Sequence, residues 1–483
     1  MSTEANSELI YELNDKPSAK ESFFAALQHV LASFVGIITP TLIIGGVLGL
    51  GSEIPYLISM ALMVSGVGTI IQAKKIKSIG AGMICVQGTS FAFLSSILAA
   101  GFIAKAQGGG PNEILSLIFG VTILGAFIEI GVSQYLHKLK RVITPIVTGT
   151  VITIIGVSLI KVGFTDLAGG KWLMDNKPEF FGSFENLTLG FIVMATIIAA
   201  HKFGNQWVRL SSIVIGMIVG LVVAIFMGKV DLHLMSQVHS VVSIPVPFKY
   251  GFSFDIAAFI PIALIYLITA IETSGDLTAN CIISKQPIEG EGYIKRIKSG
   301  ILGDGVNSLI AGIFNTFPNT TFSQNNGVIQ MTGIASKYIG VWIGAILIVL
   351  GFFPHIGALF RAIPNSVLGG ATIIMFATVA IAGIKILTHI DLNRKNMMVL
   401  AVSFGVGFGV LLVPEVVNAL AANIGGSAGK IFGSVFGSPI TAGGLTVVFM
   451  ALFLGDYSET YDPIIQEFPI EEELVPATGD TKE

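Results

Sequence analysis

The chain has 483 residues, of which 53% are hydrophobic and only 12% are charged, and its mean hydropathy is +0.81. A soluble domain carries about 25% charged residues, so the composition excludes an ordinary soluble protein and predicts an all-α polytopic membrane protein. The net charge of −3 gives no indication of nucleic-acid binding. Two cysteines, Cys85 and Cys281, are too few for a disulfide framework or a metal site, and we expect no metal and no cofactor.

Apolar segments long enough to cross a bilayer follow a polar, mixed-charge stretch that we predict to be a cytoplasmic N-terminal tail, residues 1–21. Hydropathy predicts fourteen transmembrane segments, near 23–47, 55–73, 83–103, 114–135, 142–163, 185–201, 209–228, 255–272, 299–316, 318–336, 338–354, 362–386, 397–414 and 434–455. The acidic residues 456–483 are predicted to form a second cytoplasmic tail.

The distribution of basic residues predicts the orientation of these segments. Sixteen of the 27 Lys and Arg residues lie in connections after even-numbered segments, and eight lie after odd-numbered segments. By the positive-inside rule, the even connections and both termini are cytoplasmic. The chain is therefore expected to be a multi-pass protein of the plasma (inner) membrane.

Two short patterns recur along the chain. R-x-I-x₃-V-x-G opens the fifth segment, beginning at Arg141, and the twelfth, beginning at Arg361. Residues 88–91 of the third segment, G-T-S-F, are echoed by residues 319–322 of the tenth, N-T-T-F. Both pairs are seven segments apart. Because seven is odd, the two halves are predicted to be inverted relative to each other, as in many secondary transporters.

The tenth segment contains an unusually polar stretch, residues 315–333. Pro318 cannot continue a helix, and we expect a new helix to open at Gly327, after an N-cap within residues 323–325. Irregular backbone at membrane depth survives where it is buried in protein or lines a cavity, so the stretch indicates a substrate site. The alternative is a polar loop outside the membrane.

Ionisable side chains within or at the ends of predicted segments are functional candidates, and five stand out: His29, Glu129, Glu272, Asp276 and Asp304. Glu129 is expected to reach the cytoplasmic basic cluster that follows the fourth segment. His29 suits a structural hydrogen bond or a direct role. Asp304 begins the ninth segment and suits either a helix-start role or a functional one. Glu272 lies just before an expected helix break at Gly275.

Planar hydrogen bonding is the chemistry that these groups favour. The Glu272 carboxylate accepts two parallel N–H bonds, and the Gln324 amide offers one acceptor and two donors. Together they could hold the edge of a planar lactam or purine, with Phe91 or Phe322 stacked on its face. Segments three, eight and ten contain no Lys or Arg, so a small anion would depend on helix N-termini alone.

At these residues the chain resembles the nucleobase–ascorbate transporters. Residues 324–333, Q-N-N-G-V-I-Q-M-T-G, match that family's signature, and Gln28-His29, residues 87–91 and Glu272 resemble its other marks. The similarity runs from about residue 22 to 455, and within the family the chain looks most like the bacterial xanthine permeases.

The resemblance implies a fold of fourteen segments in a 7+7 inverted repeat, with a short strand in segments three and ten. A core domain would comprise 22–138 and 255–355, and a gate domain would comprise 139–254 and 356–455. Family members typically move nucleobases with protons, as homodimers within the lipid bilayer and by an elevator-like motion.

The resemblance also implies roles for individual residues. Glu272 and Gln324 would bind the base, Phe91 and Phe322 would pack on it, and the Ser90 and Ser323 backbone would assist. Asn325 would tune the site, and Asp304 and His29 would support it. Uracil-type members carry Glu in place of Gln324 and His in place of Asp276. This difference counts against uracil and leaves the proton-carrying group open.

Proton-coupled uptake of xanthine, or of a close purine such as uric acid, is the leading hypothesis. A sulfate- or bicarbonate-type anion transporter of the same fold is the nearest alternative, and a channel is another. An enzyme is not expected, because the sequence contains neither H-E-x-x-H nor G-x-S-x-G.

Overall fold

The computed structural model describes residues 9–135, 144–230, 240–388 and 390–454. Arg141, the basic cluster around it and the acidic tail 456–483 lie outside the described residues. Within them, the α-helices are α1 Ala19–Val47, α2 Ile54–Lys74, α3 Leu94–Ala106, α4 Pro111–Gln134, α5 Pro145–Leu167, α6 Lys171–Asn176, α7 Phe184–Phe203, α8 Gln206–Leu210, α9 Ser212–Phe226, α10 Ile256–Ile283, α11 Gly290–Ile313, α12 Gln324–Thr332, α13 Lys337–Gly351, α14 Pro354–Ala362, α15 Asn365–Leu387, α16 Arg394–Leu412, α17 Pro414–Ile424, α18 Gly426–Phe436 and α19 Pro439–Leu454.

Many of these helices are suited to a bilayer. Among the described residues, eight helices are long and apolar enough to cross a membrane: α1, α2, α4, α5, α7, α10, α15 and α16. The bent pairs α13–α14, at 76°, and α18–α19, at 84°, raise the number to ten if each is one span. The chain is thus a multi-pass membrane protein, and the finer count of fourteen stays a prediction.

The helices α5 and α15 form a close antiparallel pair. A Cβ added at Gly149 would lie 2.8 Å from a Leu387 side-chain carbon, and one added at Gly163 would lie 2.8 Å from Ile373. Contacts that advance along one helix and retreat along the other require opposite directions. Small residues allow this approach, as is common for helices that pack in lipid. The direction agrees with the inversion predicted from the recurring pattern.

Two short strands lie where helices are interrupted. β1, Gln87–Thr89, pairs antiparallel with β2, Asn319–Thr321, with Gly88 opposite Thr320. β1 leads through a 3-10 turn into α3, and β2 leads into α12. All six strand residues are buried, so the irregular backbone is enclosed by protein, as membrane depth requires.

Three expectations about element boundaries are wrong. The helix that carries Glu272 does not break at Gly275, because α10 continues to Ile283. There Gly275 serves close packing: an added Cβ would lie 2.2 Å from Thr148 Cγ2 on α5. Asp304 does not begin a helix, because α11 starts at Gly290 and includes the preceding basic residues. α12 begins at Gln324, three residues before the expected Gly327, whereas its N-cap at Ser323 lies within the predicted residues 323–325.

Candidate functional site

A cavity lies between the paired strands and the α5–α15 pair. The strand side contributes the end of β2 and the start of α12, while α5 and α15 supply an apolar wall opposite. Its lining residues are Phe91, Ala92, Ile155, Leu159, Glu272, Thr320, Thr321, Phe322, Ser323, Gln324 and Val379. Five residues predicted from sequence to bind substrate therefore meet here: Phe91, Glu272, Phe322, Ser323 and Gln324.

Glu272 presents an unused hydrogen-bond acceptor to this cavity. It lies on α10, and its carboxyl Oε2 is buried without a hydrogen-bond partner among the described residues. A buried polar atom without a partner is costly, so such an atom in a native protein calls for an explanation. Gln324, the first residue of α12, lines the same cavity and offers both donor and acceptor. Together they suit a ligand with polar atoms along one planar edge.

Two aromatic rings border the cavity in different ways. The Phe322 ring covers backbone: a Cβ added at Gly88 would lie 2.5 Å from its Cζ, and one at Gly36 would lie 2.8 Å from its Cε2. Phe91 packs edge-to-face against Phe376 of α15, with ring centroids 4.9 Å apart. Both rings are thus held by neighbours, and both contribute surface on which a flat ligand could pack.

Ser90 and Ser323, which were both predicted to assist substrate binding, have different surroundings. Ser323 is the N-cap of α12 and lines the cavity. The Ser90 N–H donates to the Pro318 carbonyl at 2.8 Å, so this N–H is engaged within the protein, and help from the Ser90 backbone in substrate binding stays a prediction. This bond extends the ladder between the strands by one residue. The Ser90 hydroxyl is buried without a hydrogen-bond partner among the described residues.

Asp304 organises the scaffold behind the strands and is not among the cavity-lining residues. Its Oδ1 accepts from the side-chain amides of Gln72 and Gln87, each at 2.7 Å, and its Oδ2 accepts from the Thr273 hydroxyl at 2.5 Å. These donors come from α2, β1 and α10. Because Asp304 itself lies on α11, one carboxyl joins four elements.

Asp276 links α10 to the second strand. It accepts from the Thr321 hydroxyl at 3.0 Å, and its carbonyl accepts from the Asn326 side chain at 3.2 Å. Asp276 therefore contacts both β2 and α12, one turn beyond Glu272. It positions the elements that carry the cavity lining.

His29 and Asn325 form a pair away from the cavity lining. Nδ1 of His29 lies 2.7 Å from Oδ1 of Asn325, which joins α1 to α12. Both side chains are 1% exposed, and His29 Nε2 has no hydrogen-bond partner among the described residues. The pair holds the first turn of α12, next to Gln324.

Glu129 was expected to reach a cytoplasmic loop, and this expectation is wrong. Its side chain is 1% exposed and points inward, where Oε1 lies 3.5 Å from the Thr269 hydroxyl of α10. Oε2 is buried without a partner among the described residues.

Sequence reasoning missed the apolar wall. Ile155, Leu159 and Val379 line the cavity from α5 and α15, but they look like any other aliphatic residues of a transmembrane helix. One signal was available, because Ile155 and Leu159 are four apart and so share a helix face. Gln72 was also missed, although a glutamine in an apolar helix is a recognisable signal.

Comparison with known proteins assigns the family. Residues 20–416 match the Permease family. The chain belongs to this family. The match spans most of the chain, and it confirms the family resemblance predicted from residues 324–333.

Two curated relatives have similar lengths. The chain is 40% identical to "Xanthine permease XanP" of Escherichia coli K12 over 448 residues, 92% of this chain and 95% of that one. It is 41% identical to "Xanthine permease XanQ" of the same organism over 457 residues, 94% and 96% of the two chains. These similarities indicate a transporter rather than an enzyme.

A solved structure shows the same type of fold. The transmembrane domain of a cyanobacterial bicarbonate transporter, BicA, matches with a TM-score of 0.56 and 14% identity, covering 86% of this chain and all of that domain. At this identity, the similarity concerns the fold alone.

Proposed function

We propose that this protein is a secondary active transporter that imports a purine nucleobase, xanthine or a close analogue such as uric acid, together with protons. The observation that carries the proposal is the unpartnered Glu272 carboxyl oxygen, which shares a cavity with Gln324 and two phenylalanine rings. The similarity to two xanthine permeases over more than 90% of the chain supports the choice of cargo.

Xanthine offers ring N–H donors and carbonyl acceptors along the edge of a flat, aromatic ring. Its N–H groups can donate to Glu272, while the Gln324 amide can both donate and accept. Phe91 and Phe322 provide apolar surface for the faces of the ring. This arrangement is typical of ligand sites, which are mostly apolar with a few placed polar groups.

An anion transporter fits the cavity less well. The described residues that line it include the Glu272 carboxyl and no Lys or Arg. A carboxylate repels an inorganic anion, so recognition would depend on the N-terminus of α12 alone. The similarity to BicA concerns only the fold and does not identify a cargo.

Proton coupling is supported by the acidic side chains around the site. Asp276 and Asp304 are buried, and the ion pairs found among the described residues lie elsewhere. Acids within a membrane protein commonly carry protons in transporters. We propose Asp304, with Asp276 or His29, as the coupling or supporting groups.

We also propose the finer architecture. The chain would have fourteen spans in a 7+7 inverted repeat, with core domain 22–138 and 255–355 and gate domain 139–254 and 356–455. The cavity would then lie between core and gate, since its lining includes Ile155 and Val379 from the gate ranges and Glu272 and Gln324 from the core ranges. Both termini would be cytoplasmic, and the protein would act as a homodimer in the inner membrane.

Uptake measurements test the function. Cells that express the chain should accumulate radiolabelled xanthine with saturable kinetics, and unlabelled xanthine and uric acid should compete better than uracil. Competition by sulfate or bicarbonate, without competition by purines, would favour the anion transporter. Uptake that does not saturate would favour a channel.

A second arm of that experiment addresses the driving force. Accumulation should need an inward proton gradient and should collapse when a protonophore is added. Uptake that depends on sodium and is independent of pH would contradict proton coupling, while leaving the purine assignment intact.

A further inference from the structure

The chain before α1 is an extended segment that pairs with the loop after α12. We call residues 9–16 the N-terminal strap. The N–H groups of Ile10 and Tyr11 both donate to the Gly333 carbonyl, at 2.8 and 3.2 Å, and the Ala335 N–H donates to the Tyr11 carbonyl at 2.9 Å. Tyr11 also forms a parallel β-bridge with Ile334. The strap therefore pairs with the extended segment that directly follows α12.

Further hydrogen bonds continue this pairing. The Lys337 N–H donates to the Leu13 carbonyl at 3.0 Å, and its Nζ donates to the Asn14 side chain at 2.8 Å. The Ser336 hydroxyl donates to the Asp15 carbonyl at 2.6 Å. A free tail would not make such an alternating series. The segment 1–21, predicted to be a cytoplasmic tail, therefore includes a part that is paired with the rest of the protein.

Leu13 anchors the strap in the protein interior. It is 6% exposed and belongs to a buried cluster with Met83, which precedes β1, and Leu277 on α10. Burial of its apolar side chain stabilises this contact. The strap is thereby joined to two of the elements that position the cavity lining.

The strap holds the end of the helix that carries Gln324. α12 has nine residues and ends at Gly333, whose φ of +67° is left-handed and favours glycine. A helix this short is not stable in isolation, so contacts at its ends determine its orientation. The first turn is held by His29, through Asn325, and by β2. The strap holds Gly333, the residue that caps the last turn.

We propose that the N-terminal strap is a positioning element for substrate binding, which fixes the C-terminal end of α12 and thereby aligns Gln324 in the cavity. This inference rests on the proposed function. Without the strap, a smaller fraction of the protein has α12 in its binding orientation, and the apparent affinity falls by that fraction. A tenfold smaller fraction gives about a tenfold higher KM.

Truncation tests the proposal, with deletion of residues 2–16 as the variant and deletion of residues 2–8, which spares the strap, as the control. At equal abundance in the membrane, the longer deletion should raise the KM for xanthine about tenfold, with a smaller effect on the maximal rate. Leu13→Ala, which retains the backbone pairing, should raise KM by a smaller factor and covers the case in which the truncated chain does not fold. A KM that is unchanged in both variants would overturn the proposal.

Hydrogen exchange provides a readout that does not depend on the cargo. In the purified protein, removal of the strap should speed amide exchange in residues 324–332 more than in α16. Faster exchange confined to residues 333–337, or equally faster exchange in both helices, would show that the strap does not position α12. If the full-length chain neither binds nor imports xanthine, the proposed function fails. The comparison of exchange rates still decides whether the strap holds α12.

Discussion

At the scale of single residues, Glu272 and Asp304 are acids with different surroundings, since Asp304 is buried and Glu272 is half-buried. Glu272 lines the cavity with a carboxyl oxygen that has no partner among the described residues, whereas Asp304 accepts three hydrogen bonds from the scaffold. An asparagine at 304 could accept from the glutamines and donate to the Thr273 hydroxyl. The hydrogen bonds around residue 304 could thus survive the loss of the carboxylate charge. A ligand N–H group at residue 272, in contrast, would lose its charged acceptor.

We therefore expect Glu272→Gln and Asp304→Asn to separate binding from coupling. Glu272→Gln should weaken xanthine binding by about 1.5–3 kcal/mol, the value of a hydrogen bond to a charged group. Asp304→Asn should bind xanthine but lose accumulation. Calorimetry on purified protein, paired with uptake in cells, measures both. Loss of affinity in Asp304→Asn alone would reverse the assignment.

Gln324→Ala tests the other side of the cavity. Removal of the Gln324 amide leaves polar atoms of a bound base unpaired, so affinity for xanthine should fall by about 1–3 kcal/mol, or roughly fivefold to 150-fold. Gln330, exposed on the same helix, provides the control: Gln330→Ala should leave the affinity unchanged. Near-normal affinity in Gln324→Ala would place the substrate elsewhere.

The sequence allowed some of the site to be predicted, because polar residues in apolar segments are few. Glu272 and Gln324 were recognisable in this way, and the structure brings both to one cavity. The hydrogen-bond partners of Asp304 were not recognisable, because Gln72 lies 232 residues away and polarity alone does not identify a partner. The inward direction of Glu129 was likewise hidden, since it depends on which helix face packs.

At the scale of elements, α10 and α5 meet at Gly275. The Cβ of an alanine there would lie 2.2 Å from Thr148 Cγ2, a distance that requires a shift of one helix. The next nearest atom, Thr148 Cβ, is 3.5 Å away. Removing the single methyl group from Thr148 would therefore make room for the alanine.

A double-mutant cycle uses this geometry. Gly275→Ala should destabilise the purified protein by about 1–3 kcal/mol through overpacking, although alanine is favoured over glycine in helices by about 1 kcal/mol. Thr148→Ser should restore stability in the double variant. Thermal unfolding of the four proteins measures the coupling. Additive effects would show that the two helices do not approach this closely.

The interruptions of the tenth segment were predictable at this scale, but the strand pairing was not. Pro318 and the polar residues around it indicate that a helix cannot continue. The partner of β2 is β1, in which Gln87 lies opposite Thr321, and no local pattern identifies a partner so distant in sequence. The break expected at Gly275 failed for a related reason. Glycine marks either a flexible backbone or a close approach, and only the neighbouring helix decides between them.

At the scale of the whole molecule, the recurring pattern predicts opposite orientations for Arg141 and Arg361. The antiparallel contact of α5 with α15 agrees with this prediction. Cysteines introduced at the two positions, in a variant lacking Cys85 and Cys281, should be labelled by an impermeant reagent from opposite sides of the membrane. Labelling of both positions from the same side would contradict the inverted repeat.

The central claim is that a purine binds between Glu272 and Gln324, and a structure of the purified protein with bound xanthine tests it most directly. We expect a flat ring beside Phe91 and Phe322, with an N–H group within hydrogen-bond distance of the Glu272 carboxyl and polar atoms facing the Gln324 amide. A ring bound elsewhere, such as in the polar cavity lined by Asn112, Tyr250 and Asp255, would contradict the account.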